Sequence, residues 1–196
     1  MTSRLGFGGL HGLLSIKPDM ITFGKYLGGG MPFGAFGGRE DVMKVYDPRE
    51  PGALGHSGTF QNNTLMLNAG YVGLSTVYTE DAVAMLNSRG ESLRDRLHKI
   101  FQGTRFCVTG IGSIMCIHAT LTSLGNDKIT CKDDILTVED NTLKKLFWLK
   151  MLEVGFWVQL RGSIALNLQL PTEAIDAFVD AVARFCESYR DLIASR

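Results

Sequence analysis

Apolar and polar positions follow two different rhythms along this 196-residue chain, and the change comes near residue 80. Beyond that point a 3.6-residue period dominates. Val83, Leu86, Leu93, Leu97 and Ile100 recur on one helical face with charges between them, which predicts a long amphipathic helix. Asp140 stands where a helix running to about Val154 needs its N-cap, and Gly155 follows as the stop. Thr172 opens a last helix, whose apolar row is Ile175, Phe178, Val182, Phe185, Tyr189 and Leu192. Between these helices, Phe106 to Ile111 and Ser113 to Thr120 read as paired strands, and Ile164 to Leu168 as a third. Residues 121–139 are polar and read as a loop.

The first 80 residues have a different texture. Eleven of the 23 glycines lie between Gly6 and Gly38. Pro18-Asp19 leads into a short apolar stretch, Met20-Ile21-Thr22-Phe23, with the pattern of a buried strand. Gly34 to Gly38 is a second strand candidate, and Arg39 to Tyr46 a short helix. Thr64 to Tyr78 reads as a helix in which Met66, Gly70, Gly73 and Val77 share one side. Such a small-residue stripe predicts that another element packs closely there. The pattern is mixed α and β, without internal repeats or a low-complexity linker.

Composition narrows the function classes. Hydrophobic residues make up 45% of the chain, enough for a sizeable core. Lys plus Arg equals Asp plus Glu at 20 each, so no net field favours nucleic acid or an anionic membrane. The apolar runs are far shorter than a bilayer span, and the first ten residues carry no signal-peptide block. A cytoplasmic protein is the expectation. Cys107, Cys116, Cys131 and Cys186 are scattered, without metal or redox spacing, and read as buried small thiols. His11, His56, His98 and His118 are equally dispersed, so no metal site is expected.

The chemistry-bearing candidate is Lys25. It follows the short apolar strand and precedes Gly28-Gly29-Gly30, so its amine lies beside bare backbone that a cofactor can approach. Covalent catalysis by lysine requires a neutral amine. Gly6, Gly8 and Gly9 do not make a dinucleotide loop, because no strand precedes them and the spacing departs from GxGxxG.

Three stretches carry a family resemblance. Pro18-Asp19-Met20-Ile21-Thr22-Phe23-Gly24-Lys25 is similar to the signature around the pyridoxal lysine of class-III aminotransferases. Gly28 to Gly38, reading GGGMPFGAFGG, continues it, and His56-Ser57-Gly58-Thr59-Phe60 resembles the family's second motif. The subgroup most resembled is the glutamate-1-semialdehyde 2,1-aminomutases and related amine transferases. The resemblance implies an α/β fold: the C-terminal part of a fold-type-I pyridoxal-phosphate-dependent transferase. Residues 1–80 would be a remnant of the cofactor-binding large-domain sheet, and residues 81–196 a small α/β C-terminal domain.

The resemblance also implies roles. Lys25 would form the Schiff base with pyridoxal 5′-phosphate and shuttle the proton. Thr59 would bind the cofactor phosphate of the partner subunit in a homodimer, with Gly58 giving the backbone room. Arg161 is a candidate for holding a substrate carboxylate, since a guanidinium matches one bidentately, with a surface salt bridge as the other reading. His56 reads as a structural loop histidine. The substrates would be a small-molecule amine donor and a carbonyl acceptor.

Two departures stand out. Residue 64 is Thr where the family often has Pro, which loosens a helix start. The family's aspartate that pairs with the pyridine nitrogen has no counterpart here; the only acid before Lys25 is Asp19, within the lysine motif itself. The ring-stacking aromatic and the upstream phosphate turn are also unmatched. The isolated chain is therefore expected to be an incomplete, inactive amino-transfer unit that folds poorly over its first 80 residues; the alternative is a non-catalytic truncated relative that at most associates with a full-length subunit.

Overall fold

The computed structural model describes residues 3–122 and 129–194. The chain divides into two compact units, Met1–Ala84 and Met85–Arg196.

The first unit starts with a short helix α1 (Gly9–Leu13) and an antiparallel hairpin, β1 (Met20–Gly24) with β2 (Gly34–Gly38). The register pairs Met20 with Gly38 and Gly24 with Gly34, so residues 25–33 form the connection. Helix α2 (Glu40–Met43) runs into a 3₁₀ turn. Helix α3 (Thr64–Val72) continues into one π-helical turn, Gly73–Val77. Its start is not loosened by Thr64, because the Asn63 side chain accepts from the amides of Leu65 and Met66. The small-residue stripe does meet another element. A Cβ on Gly70 would lie 2.5 Å from the Leu27 carbonyl oxygen, and Met66 is buried beside it. Val77 departs from the stripe and is exposed, since the π turn rotates it out of phase.

The second unit is a three-stranded antiparallel sheet in the order β3 (Phe106–Ile111), β4 (Ile114–Ala119), β5 (Ser163–Ala165), packed with helices. Helix α4 (Glu80–Phe101) buries Leu86, Leu93, Leu97 and Phe101, with Ile100 partly buried at the row's edge. Strand β5 is shorter than the apolar run suggests, because its partner β4 begins at Ile114. Asp140 caps helix α6 (Asn141–Glu153) through the amides of Thr142 and Leu143, and Gly155 follows with φ 90°. Helix α7 (Thr172–Ser188) buries Ile175, Phe178, Val182 and Phe185. The chain breaks at Tyr189 before the short helix α8 (Arg190–Ile193). That break shifts the apolar row, so Ile193 is buried where Leu192 was expected.

Three expectations need correction. Strand β1 is not buried: Met20 and Phe23 are exposed, and Ile21 and Gly24 are only partly covered. The polar stretch 121–139 is not all loop: helix α5 (Lys132–Val138) lies within it, while residues 123–128 fall outside the described residues. The Asp134 carboxylate accepts from the Thr130 and Cys131 amides, fixing the first turn. These amides and the Thr130 hydroxyl hold its pKa down at about 2. Nor are all four thiols buried. Cys107 and Cys186 are, Cys116 is half-buried, and Cys131 is exposed.

The units differ sharply in core. In the first, the buried large apolar side chains among the described residues are Leu5, Met66 and Val83. Phe60 at 87%, Tyr71 at 72% and Leu65 at 71% are exposed there. In the second, a continuous cluster joins α4, the sheet, α6 and α7, with Phe106, Phe147 and Phe185 in mutual ring contact and Phe101 stacked on Phe106.

Local opening is governed by buried contacts, so amides of β1 and β2 should exchange with deuterium roughly tenfold or more faster than those of β3 and β4. Mass-resolved exchange on the 196-residue chain checks this; equal protection would contradict it. Gly90 lies against the β3–β4 turn, where a Cβ would fall 2.2 Å from the Gly112 carbonyl oxygen. Gly90→Ala on an exposed helix would stabilise by about 1 kcal/mol. Here the clash should dominate and cost about 1–3 kcal/mol, read as a lower Tm.

Candidate functional site

Lys25 stands at the end of β1. Gly24 is fully extended, and Lys25 then turns the chain with φ 59°, a left-handed conformation uncommon for a residue with a side chain. Such a conformation costs about 1–3 kcal/mol and persists only where the surroundings fix it. Here they do. Lys25 opens the 3₁₀ turn Lys25–Gly28, and α3 packs against that turn through Gly70. Tyr26 packs edge-on against Tyr78 at 5.2 Å, and Tyr78 against Phe7 at 5.9 Å. The Lys25 side chain is exposed and has no hydrogen bond or ion pair among the described residues.

Thr59 lies in the turn that feeds α3. The Gln61 amide donates to the Gly58 carbonyl at 3.0 Å, closing the turn with Thr59 exposed on it. Asn62 follows with φ 53°, then the Asn63 cap. His56 is a structural anchor of this loop. Its ring packs edge-on against Phe36 at 5.1 Å and Tyr46 at 5.6 Å. The Gln61 side-chain nitrogen lies 2.6 Å from its Nε2, tying the ring to the Thr59 turn. No hydrogen bond joins Thr59 to Lys25 among the described residues. What links them is α3, which starts just after the Thr59 turn and packs on the Lys25 turn.

Asp19 is engaged elsewhere. It pairs with the Arg39 guanidinium at 2.5 Å, and Arg39 is also paired with Asp41. No group of His, Cys, Asp and Glu able to hold a metal occurs among the described residues, and no described helix is long and apolar enough to cross a membrane.

Arg161 belongs to the second unit, on the turn leading into β5. It borders an open cavity of about 830 Å³ whose charged lining is Glu139, Lys144, Lys145 and Arg161. Lys144 forms an ion pair with Glu139. Behind this pair is His118, 3% exposed, with Nε2 at 2.9 Å from the Thr109 hydroxyl. Its Nδ1 lies 3.9 Å from the Glu139 carboxylate and makes no hydrogen bond. Burial, reinforced by the Lys144 charge, lowers the His118 pKa; Glu139 opposes this only in part. Sequence reasoning missed this buried cluster. Its members come from β4, the approach to α6 and α6 itself, and no spacing in the chain connects them.

The aminotransferase class-III family model matches residues 4–184. The chain belongs to the class-III aminotransferases. An uncharacterized aminotransferase of Schizosaccharomyces pombe is 48% identical over 178 residues, covering 91% of this chain and 40% of that protein. The β-phenylalanine transaminase of Variovorax paradoxus is 41% identical over 195 residues, covering 98% and 43%. The crystal structure of the Variovorax enzyme superposes with TM-score 0.90, covering 100% of this chain and 44% of that one. Glutamate-1-semialdehyde 2,1-aminomutases are also similar, that of a Sulfurihydrogenibium species at 32% identity over 96% of this chain and 39% of its own length. This chain therefore spans about two fifths of the length of the curated relatives it matches. The architecture is the corresponding part of a fold-type-I transaminase.

The cofactor of class-III aminotransferases is pyridoxal 5′-phosphate. The residues here fit two of its ends. The exposed primary amine of Lys25, held at a strand end beside glycine backbone, suits the aldehyde carbon. The exposed Thr59 hydroxyl, on a turn with Gly58, suits a phosphate oxygen.

The lowered pKa of His118 sets a pH dependence. Its folded value lies below the ordinary 6.5, so the unfolded chain takes up the proton first as pH falls. Stability of the second unit should therefore drop from about pH 7 to about pH 5 more steeply in wild type than in His118→Gln. Urea denaturation followed by tryptophan fluorescence checks it, since Trp148 and Trp157 both lie in that unit. Parallel pH profiles for the two proteins would contradict the burial argument.

Proposed function

We propose that this chain carries the lysine-bearing part of a pyridoxal-phosphate-dependent amino-transfer site, with Lys25 as the catalytic residue. The observation that carries the reading is the fixed, left-handed Lys25 at the end of β1, its amine exposed and without a partner among the described residues. Lys25 Nζ would hold the cofactor covalently and, once released as a neutral amine, move the proton at the substrate's amine-bearing carbon. The bound cofactor supplies the electron sink that makes this proton removable. Thr59 would bind the phosphate through its hydroxyl, with Gly58 leaving the backbone open to it.

We assign Thr59 to the site of a second subunit. Support comes from the exposed apolar side chains on either side of its turn, Leu54, Phe60 and Leu65, which suit burial between subunits. Arg161 is assigned to a substrate carboxylate. One relative is named a β-phenylalanine transaminase, a name that supports a carboxylate-bearing amine donor with a small carbonyl acceptor.

For the 196 residues on their own, the reading is a chain with little or no turnover that at most pairs with another subunit. The acid nearest upstream of Lys25, Asp19, is committed to Arg39. The first unit has little core of its own. Borohydride reduction after incubation with pyridoxal phosphate, followed by peptide mapping, should label Lys25 and lose that label in Lys25→Ala. Labelling spread evenly over exposed lysines such as Lys17 and Lys44 would remove Lys25 from the role. Amino transfer from a panel of amine donors should stay near background; robust turnover abolished by Lys25→Ala would overturn the inactivity and keep the lysine.

A further inference from the structure

Arg161 is held at three points by its own surroundings. Its carbonyl oxygen accepts from the Cys116 thiol at 3.3 Å. The next residue, Gly162, has φ 84° and is fastened to β4, with its carbonyl accepting from the Ile117 amide at 3.0 Å. The third point is Gln159. Its carbonyl accepts from the Gly162 amide at 2.8 Å, closing the turn, and its side-chain oxygen accepts from Arg161 Nε at 2.6 Å. A guanidinium tethered through Nε keeps both terminal nitrogens as a planar fork. Those nitrogens have no partner among the described residues.

The neighbouring charges favour an anion at that fork. Glu139, the carboxylate lining the same cavity, is engaged by Lys144 and so does not compete for Arg161. Lys145 lines the cavity too and has no partner among the described residues, which adds a second uncompensated positive charge. We propose that Gln159 is a positioning residue: by holding Arg161 Nε it aims the guanidinium fork at a ligand carboxylate. The inference rests on the reading of Arg161 as a carboxylate anchor, and goes beyond it by naming what orients the anchor. Without the Nε tether the long side chain samples several rotamers, and each binding event must freeze it again.

The test uses the 196-residue chain with benzoate as the probe and benzamide as the uncharged control. Binding and the Arg161 Nε–H signal are followed by nitrogen-edited NMR, the signal being assigned by its loss in Arg161→Ala. Wild type should bind benzoate and not benzamide, and Arg161→Ala should abolish binding. Gln159→Met keeps the side-chain length but removes the acceptor. It should weaken benzoate about fivefold, the usual effect of one hydrogen bond, and collapse the Nε–H signal toward the solvent-averaged position. Gln159→Glu retains the acceptor and should restore the dispersed Nε–H signal. A merely structural Gln159 would not give that rescue. Gln159 is exposed, so all these variants should melt with wild type. If wild type binds no benzoate, or Arg161→Ala binds it unchanged, the carboxylate reading of Arg161 falls and this inference falls with it. If Arg161→Ala loses binding while Gln159→Met binds like wild type, Arg161 stands and the positioning role of Gln159 is overturned.

Discussion

Helix α3 reaches the Lys25 turn only because residue 70 has no side chain. At 2.5 Å from the Leu27 carbonyl, a Cβ there would push the helix off the turn. That contact does two things at once. It holds Lys25 in a backbone conformation it would not choose, and it ties the Lys25 turn to the segment that presents Thr59. A small shift of α3 would therefore move the turns of both cofactor-binding candidates. Backbone strain of this kind persists only where packing over-determines it, and here the packing is backbone against backbone.

The two units meet the cost of chain ordering in different ways. The second buries aromatic and aliphatic side chains from four helices and a sheet in one cluster, which is enough for a cooperative core. The first keeps its hairpin and α3 together with few buried side chains and leaves Phe60, Leu65 and Tyr71 in water. Surface of that kind is what the proposed packing against a second subunit would cover. The unit that carries Lys25 is thus the one least able to hold its own geometry, and this physical asymmetry underlies the low turnover proposed for the chain alone.

Polar groups in the second unit follow a separate logic. Burying Lys144 is tolerable because Glu139 accompanies it, and burying His118 is tolerable while it stays neutral. Arg161 remains at the cavity edge, with its Nε satisfied by Gln159 and its fork open. Arrangement, more than the number of charges, is what the anion preference proposed for this cavity rests on.

Most of the secondary structure was legible along the chain, because period and capping residues act locally. The α4 row, the Asp140 cap, the Gly155 stop and the β3–β4 pair needed only neighbours in sequence. Local rules failed where helix geometry changed: the π turn that exposes Val77, the break at Tyr189 that exchanges Leu192 for Ile193, and the Asp134-capped helix inside a polar stretch. The motifs around Lys25 and Thr59 pointed to the family because their chemistry is contiguous in sequence. The sequence by itself determined the elements, the family and the candidate lysine, since each depends on residues a few positions apart. Only the tertiary structure decided the left-handed set of Lys25, the commitment of Asp19 to Arg39, and the gathering of His118, Glu139 and Lys144 beside Arg161. Each of these depends on segments brought together by packing, and neither spacing nor propensity encodes those distances.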